Sequence, residues 1–447
     1  MRAVLRDAVQ HRTPLYPVSR GCNWGYGSHL PFRDGSVLLD LSALDAIGEI
    51  DRDSLSVRIE PGVTQAALFE YLRLHAPDLA MNVTGAGRVT SVLGNALDRG
   101  MGYSGEKDQD VYALEVLLAD GTTVGPVEGR NHRSRAHPAG LSVDALFFQS
   151  NFGIVVGARL RLRIRQEAEE AVIVQGPFES VIGTLKQAYE ERLIVSPTHV
   201  AEPGRSRRLG FGLLRTLWAR EPTAREVDRC FPEQNSFNGL VPIYGRQRVV
   251  NAAWREIKRC AKAGTTLRRV NARTLEFGAK WLARGGARYK AARILALRPI
   301  LAFCWGEPSD AGMSFLDEAR GVDPNLASRG AIYGNAVSST DPGKAEQAAL
   351  IVRSRWNECA FTWILIDSKC MITIYTLHFD EGAAAEAHAA SAAIIEEHRA
   401  AGFPQYRLDI NTAAARGADP VVRRLKAAFD PLDLIAPGRY ESQCGTA

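Results

Sequence analysis

Little in the sequence points to a metal site, a disulfide-stabilised fold, a membrane span or a nucleic-acid surface. The 7 cysteines among 447 residues are an odd set without a C-x-x-C pair, so neither a disulfide framework nor a zinc site is predicted. No apolar run approaches the roughly 20 residues that cross a bilayer, and no signal-peptide pattern opens the chain. A net charge of +5 over this length is too dilute for nucleic-acid binding. We therefore expect a cytoplasmic globular protein with no metal, membrane or nucleic-acid partner.

Glycine, by contrast, is abundant, and it clusters in two stretches near the amino end. SRGCNWGYGS spans residues 19–28, and TGAGRVTSVLGNALDRGMGYSG spans residues 84–105. Glycine is used where the backbone takes left-handed torsions or where another molecule approaches the main chain closely. Successive backbone N–H groups in such a loop form a nest for an anion, and a loop as long as the second is typical of a segment that lines a site. The two stretches predict a binding site for a phosphate or a diphosphate.

The pattern of elements changes along the chain. Mixed helix and strand signals with many turns continue to about residue 165, and helical stretches separated by strands follow to about residue 405. In the first part, TQAALFEYLRLHA predicts a helix with Thr64 as its N-cap, and ALEVLLADGTTV predicts a hairpin that turns at Asp120 and Gly121. In the second part, GAAAEAHAASAAIIEEHRAAG predicts a helix that ends at Gly402. We expect a glycine-rich binding domain, a middle substrate domain and a tail that closes back on the first.

Eight segments, taken in order, carry a resemblance to a known family. They are RGCNWGYG, LLDLS, EPGVTQAALFEYL, TGAGRVTSVLGNALDRGMGYS, EVLLADG, LFFQSNFGIV, GFPQYRLDIN and LKAAFDPLDLIAPGRY. They resemble the corresponding segments of the vanillyl-alcohol oxidase and p-cresol methylhydroxylase flavoproteins. The likeness is close over the first 165 residues, good over about the last 45 and loose in between. FAD is the cofactor that it implies.

The resemblance also implies the fold, which is α+β. An FAD-binding domain of two α+β subdomains is expected at residues 1–165, and a substrate-binding cap domain, with an antiparallel sheet flanked by helices, at 166–405. The segment 406–447 is expected to return to the FAD domain. Family members carry a P-x-x-V-x-x-P strand unit before the helix that begins here at MRAVLRDAVQH, so we expect an FAD domain without that amino-terminal segment.

The cofactor residues follow from the same resemblance. The first glycine loop is expected to wrap the diphosphate of FAD, the second to run along the rest of the cofactor, and SNFGIV at 150–155 to hold the adenine and ribose end. The implied residues are Arg20, Gly21, Cys22, Asn23, Trp24, Gly25, Tyr26, Gly27, Ser28, Pro61, Thr84, Gly85, Gly87, Ser91, Gly94, Asn95, Gly100, Gly102, Tyr103, Asn151, Gly153, Ile154 and Arg439. His29 lies five residues past Trp24, the position at which histidine-linked relatives attach the flavin. We interpret it as a polar loop residue, and covalent and non-covalent FAD both stay open.

Three catalytic residues are implied by the phenol-oxidising branch of the family. Its Tyr-Arg pair, which binds the phenolate oxygen, corresponds to Tyr406 and Arg407 in PQYRLDIN. A free phenol has a pKa of about 10, and a guanidinium with a hydroxyl donor stabilises the anion. The phenolate pushes electron density to the para carbon and favours hydride loss to flavin N5. An aspartate that assists proton transfer corresponds to Asp108, with Asp110 as the alternative.

The function that the resemblance implies is FAD-dependent oxidation of a para-substituted phenol or a related alcohol. A sugar-like, alditol-like or natural-product alcohol is an alternative donor on the same fold, because fold does not fix substrate. A truncated, partner-dependent subunit with weak FAD binding is a further alternative. The electrons are expected to pass to O2 or to an electron-transfer partner, and a homodimer is expected by analogy.

Overall fold

The computed structural model describes residues 1–23, 26, 29, 31–125, 142–314, 329–407 and 419–440. Helices and predominantly antiparallel sheets are mixed within these ranges, so the predicted α+β class is confirmed. Across this described part of the chain, no helix is long and apolar enough to span a bilayer.

The amino-terminal part is built on a five-stranded antiparallel sheet. Its helices are α1 (Arg2–His11), α2 (Gln65–His75) and α3 (Val92–Leu97). Its strands are β1 (Leu15–Val18), β2 (Val37–Asp40), β3 (Ile47–Asp51), β4 (Ser56–Ile59), β5 (Leu79–Ala80), β6 (Val111–Leu117), β7 (Thr123–Val124), β8 (Ile154–Arg161) and β9 (Arg163–Ile164). The sheet order is β3-β4-β8-β6-β7, while β1 pairs with β2 in parallel and β5 pairs with β9.

Local sequence signals explain several of these elements. The Thr64 hydroxyl accepts a hydrogen bond from the Ala67 N–H at 3.1 Å, which makes it the N-cap that the sequence predicts for α2. The predicted turn at Asp120 and Gly121 joins β6 to β7, with Gly121 at a φ of +83°. These contacts confirm both local predictions.

The middle of the chain forms a seven-stranded antiparallel sheet with helices around it. Its strands are β10 (Ala168–Gly176), β11 (Thr198–Ala201), β12 (Phe237–Gly245), β13 (Thr266–Val270), β14 (Arg329–Ser339), β15 (Cys359–Leu365) and β16 (Cys370–Asp380). The remaining helices are α4 (Phe178–Glu190), α5 (Arg205–Trp218), α6 (Ala224–Cys230), α7 (Gln247–Arg259), α8 (Ala272–Arg284), α9 (Arg288–Leu301), α10 (Pro342–Arg355), α11 (Ala384–Ala400) and α12 (Pro420–Phe429). The strand order is β13-β10-β12-β11-β15-β16-β14.

The two faces of this sheet have different roles, because side chains alternate between faces along a strand. On β15, Phe361 and Trp363 are buried in a core that also includes residues of α4 and α10. Thr362 and Ile364, on the opposite face, line a large cavity. The sheet therefore packs on helices with one face and forms a wall of the cavity with the other.

The last described segment packs on the first strand. Leu15 N–H donates to the Leu434 carbonyl at 2.7 Å, and Ala436 N–H donates to the Leu15 carbonyl at 2.7 Å. Ile435 is fully buried in a small core with Leu5 and Ile154. Strand β1 and residues 434–436 therefore pack side by side.

Candidate cofactor and substrate site

The cavity has a volume of about 1020 Å³ and is lined by the glycine loops, by all seven strands of the larger sheet and by helices α5, α8 and α9. Pockets for a single small molecule usually measure about 300–1,000 Å³. Its volume lies at the upper end of this range and suits a ligand as large as a dinucleotide cofactor.

The described part of the first glycine loop lies on this cavity. Arg20, Gly21, Cys22, Asn23 and Tyr26 all line it. The loop is held by hydrogen bonds from Asn23 N–H to the Gly21 carbonyl at 3.1 Å and from Tyr26 N–H to the Asn23 carbonyl at 2.8 Å. Gly21 has a φ of +66°, a torsion that favours glycine.

Trp24, Gly25, Gly27 and Ser28, which the sequence also assigns to this loop, lie outside the described residues. His29 is described and lines the cavity.

The second glycine loop forms the next part of the wall. The predicted residues that line the cavity here are Pro61, Thr84, Gly85, Ser91, Gly94, Asn95, Gly100 and Tyr103. Ser91 caps α3 by accepting from the Gly94 N–H at 2.9 Å. Gly87 and Gly102 are not among the lining residues, and a Cβ at these positions would meet Met313 and Asn82 respectively. Their assignment to the cofactor stays a prediction.

Asn151, Gly153 and Ile154 line the cavity as well, as does Arg439. The Asn151 side-chain amide donates to the Ala436 carbonyl at 3.0 Å, which ties this loop to the last described segment. The Arg439 guanidinium lies 3.6 Å from Asp98 and donates to the Tyr440 hydroxyl at 2.9 Å. Because Arg439 is held in this network, it presents a fixed positive charge at the cavity.

The charge of the cavity wall suits an anionic cofactor. Among the described lining residues, the only acidic one is Asp98, against eight basic ones. The basic residues are Arg20, Arg99, Arg205, Arg268, Lys290, Arg293, Arg407 and Arg439. A positive, partly dehydrated cleft with exposed backbone donors is what a dinucleotide diphosphate requires. The residues present therefore fit FAD.

Tyr406 and Arg407, the predicted substrate pair, both line the cavity. The Asn335 side-chain oxygen accepts from both of their backbone N–H groups, at 2.6 Å and 3.1 Å. The Arg407 guanidinium carbon lies 3.5 Å from the ring centroid of Tyr26. Its Nη1 donates to the Asp98 carbonyl at 3.2 Å. Arg407 is thereby fixed in place by a carbonyl and an aromatic face.

The predicted proton-transfer residue lies outside the lining residues. The Asp108 carboxylate is 4.0 Å from Arg99, and its Oδ1 is buried with no hydrogen-bond partner among the described residues. Asp110, the alternative, accepts from Lys107 at 2.9 Å and from Asn82 at 3.0 Å. Asp110 thus has a structural role, while Asp108 keeps an unused acceptor.

Two residues at the site carried no prediction. Glu106 accepts from the Tyr406 hydroxyl at 3.5 Å, and burial together with the charge of Asp108 raises the pKa of its carboxyl group. The His199 ring stacks on Tyr103 with centroids 4.2 Å apart, and burial lowers the pKa of its imidazole to about 4. Glu106 could have been considered from the sequence, because it is two residues from Asp108. A single histidine in a strand, such as His199, gives no sequence signal for a site.

A substitution at Gly94 tests the cofactor wall. A Cβ at Gly94 would lie 2.5 Å from the Ser19 hydroxyl and 3.2 Å from that of Ser91. The larger side chain in Gly94→Val therefore displaces the first loop or enters the cavity, and overpacking of this kind costs about 1–3 kcal/mol. We expect the Kd for FAD to rise about tenfold, as about 1.4 kcal/mol of this cost produces, and the ratio of flavin to protein absorbance to fall with it.

The matched control is Gly278→Val, since Gly278 is also helical and no described atom lies within 4 Å of its Cβ position. Equal flavin content in the two variants would exclude Gly94 from the cofactor site.

Comparisons with known proteins agree with this geometry. A family model for an FAD binding domain matches residues 1–125. The chain is similar to 1'-carboxy-chondrochloren decarboxylase of Chondromyces crocatus, with 30% identity over 99% of this chain and 88% of that protein. It is 32% identical to the 4-cresol dehydrogenase (hydroxylating) flavoprotein subunit of Pseudomonas putida, over 34% of this chain and 31% of that subunit.

Among solved structures, p-cresol methylhydroxylase with substrate bound matches with a TM-score of 0.79 and 20% identity, over 99% of this chain and 86% of that chain. At this identity the match shows the fold. Together with the relative that matches 99% of this chain and with the FAD domain match, it confirms the predicted resemblance and cofactor. The chain belongs to the vanillyl-alcohol oxidase and p-cresol methylhydroxylase family and is an FAD-dependent oxidoreductase.

Proposed function

We propose that the protein oxidises a para-substituted phenol at the carbon attached para to the hydroxyl group. The observation that carries this proposal is Arg407 on the cavity wall, with a carbonyl and an aromatic ring as its neighbours. Among the described residues, no carboxylate lies within ion-pair distance of Arg407. Its charge is therefore available to a phenolate.

Arg407 and Tyr406 have complementary tasks. The guanidinium stabilises the substrate as an anion, which lowers the substrate pKa from about 10. Burial raises the pKa of the Tyr406 phenol, and the charges of Glu106 and Asp108 raise it further. Tyr406 consequently stays protonated, and its one hydroxyl proton, which the weakly held Glu106 accepts at 3.5 Å, turns to the phenolate oxygen when the substrate binds. The Asn335 side-chain oxygen accepts from the backbone N–H groups of both residues and so fixes their positions relative to each other.

The chemistry divides between the cofactor and the chain. FAD, when bound, accepts the hydride that leaves the para substituent with the electron pair of the C–H bond. The substrate is left as a quinone methide, which water attacks to give a benzylic alcohol. We propose that Asp108 receives the proton of that water indirectly, because its Oδ1 accepts no hydrogen bond from a described residue but Asp108 does not line the cavity. Glu106, with its raised pKa, is positioned to hold a proton beside it.

A second candidate is an oxidative decarboxylation. The relative that covers nearly the whole chain is named a decarboxylase, whereas the cresol dehydrogenase subunit matches only about a third of it. If the substituent bears a carboxylate on its second carbon, hydride loss is followed by breakage of the C–CO2 bond. The released electron pair then forms the C=C bond and restores the aromatic ring, and CO2 leaves.

A small substrate panel tests the proposal. In the absence of oxygen, we expect 4-ethylphenol to bleach the flavin absorbance of the holoprotein at least ~100-fold faster than its O-methyl ether does. The reason is that the ether cannot form the phenolate that Arg407 stabilises. Release of CO2 from 3-(4-hydroxyphenyl)propanoic acid would favour the second candidate. Equal bleaching by the phenol and its ether, or bleaching by an alditol alone, would contradict the phenol proposal.

A further inference from the structure

Three basic residues lie on the cavity wall contributed by β13 and α9: Arg268, Lys290 and Arg293. On β13, Arg268 and Val270 line the cavity. Arg269 lies between them on the other face and forms an ion pair with Glu170 at 2.8 Å. Two neighbouring arginines therefore differ in their surroundings: one has a carboxylate partner and the other lines the cavity.

The same contrast occurs on α9. Lys290, Arg293 and Leu297 follow one helical face and line the cavity. Arg298, outside that face, pairs with Glu276 at 3.4 Å and with Glu307 at 3.3 Å. With the Gln234 amide oriented so that its oxygen points to Arg293, that oxygen accepts from Nη2 at 2.9 Å and from Nη1 at 3.2 Å. A neutral amide is thus the polar partner of Arg293.

This end of the cavity carries positive charge without compensation. Burial lowers the pKa of the Arg293 guanidinium, and the charge of Arg268 lowers it further. Within the described ranges, no carboxylate is within ion-pair distance of Arg268, Lys290 or Arg293. Arg268 and Lys290 are exposed and Arg293 is half-buried, so three like charges lie where the cavity meets solvent and attract an anion from outside the protein.

An apolar wall accompanies these charges. Leu275, Ile294, Leu297 and Ile300 line the cavity on α8 and α9, and Phe303, which packs on the Tyr103 ring at 5.0 Å, lies beyond them. Such a wall suits an apolar scaffold that joins the two ends of an elongated ligand.

We propose that Arg268, Lys290 and Arg293 bind an anionic group, a carboxylate or a phosphate ester, which the substrate carries at a distance from the carbon that is oxidised. This anion subsite rests on the proposed phenol oxidation, which it extends by naming the substrate class. The substrate is then a phenol whose apolar chain ends in an acid, with the phenolate at Arg407 and the acid at Arg293.

Binding to the reduced holoprotein tests the subsite without turnover. The probes are 8-(4-hydroxyphenyl)octanoic acid, its neutral primary amide and the phosphate ester of the corresponding alcohol, titrated by calorimetry into dithionite-reduced protein. We expect the acid to bind about tenfold more tightly than the amide, as one charge-assisted hydrogen bond provides. Comparing the affinities of the phosphate ester and the carboxylic acid shows which of the two anions the subsite binds more tightly.

Two variants make the test specific. In Arg293→Gln and Arg268→Gln, we expect the preference for the acid to fall to about unity while the affinity for the amide is unchanged. Lys280→Gln on α8 is the matched control, since Lys280 is exposed and does not line the cavity, and it should keep the preference. Equal affinities for acid and amide in the parent protein, or a preference that survives in both variants, would overturn the subsite.

A separate readout keeps the proposed function apart from the subsite. Bleaching of the oxidised holoprotein by 4-ethylphenol reports phenol oxidation and does not require the acid group. If 4-ethylphenol bleaches the flavin but the acid binds no more tightly than the amide, only the proposed subsite is overturned. If the acid binds more tightly than the amide but 4-ethylphenol does not bleach the flavin, only the proposed phenol oxidation is overturned.

Discussion

Replacing Arg407 with alanine is expected to slow reduction of the bound flavin by 4-ethylphenol about 10²–10³-fold, the usual cost of removing one donor from a developing oxyanion. Because Arg407 stacks on Tyr26 of the first glycine loop, the FAD content is measured in parallel and the reduction rate is compared per bound flavin. The pH at which reduction is half-maximal should rise toward the phenol pKa of about 10, since the variant no longer favours the phenolate. Rapid mixing without oxygen measures both quantities.

Arg399→Ala is the matched control for this experiment. Arg399 is exposed on α11, and its side chain hydrogen-bonds Glu396 at 3.1 Å. The flavin of the Arg399→Ala variant should be reduced by 4-ethylphenol at the parental rate. If Arg407→Ala also reduces at the parental rate with an unchanged pH profile, Arg407 has no part in the chemistry.

Replacing Lys426 with methionine is expected to lower the free energy of unfolding by about 3–5 kcal/mol, the cost of removing one partner of a buried ion pair. Lys426 Nζ lies 2.8 Å from Asp430, and it also donates to the Asn151 carbonyl at 3.0 Å and the Ile435 carbonyl at 2.8 Å. The Asp430 side chain is 0% exposed, so the variant leaves a buried carboxylate without its cation. Urea unfolding followed by circular dichroism measures the loss.

The double variant Lys426→Met with Asp430→Asn distinguishes the ion pair from simple loss of packing. It should be less destabilised than the sum of the single variants, because the second change removes the stranded charge. Lys344→Met on α10, at an exposed lysine, is the surface control and should stay within about 0.5 kcal/mol of the parent. A loss below about 1 kcal/mol for Lys426→Met would contradict the role assigned to the pair.

Features that depend on neighbouring residues were predictable from the sequence. The Thr64 cap and the Asp120–Gly121 turn need only a few consecutive residues, and both are found. The end of α11 at Ala400, just before Gly402 with its φ of +82°, follows the same logic. The family resemblance also rests on ordered local segments, which is why the fold and FAD could be inferred without coordinates.

The arrangement of the site depends on contacts between distant residues, which no local pattern encodes. Tyr406 meets Glu106, 300 positions earlier, and Arg407 meets Tyr26. Counting residues from a motif could not separate Asp108 from Asp110. The ion pair of Asp110 with Lys107 distinguishes the surroundings of the two carboxylates, while the catalytic assignment stays a prediction. Likewise, Arg268 and Arg269 are identical in type, and the sheet alone decides which of them lines the cavity.

The hydrogen bonds of Leu15 with Leu434 and Ala436 have a consequence for biosynthesis. Leu15 precedes Ala436 by more than 400 positions in the chain, yet Ala436, which lines the cavity, is hydrogen-bonded to the strand that begins at Leu15. A nascent chain can fold the five-stranded sheet before residue 430 is made, but its nucleotide cleft stays open on that side. Closure of the flavin cleft on that side therefore requires that residues 435 and 436 have been synthesised, even if the amino-terminal sheet is already folded.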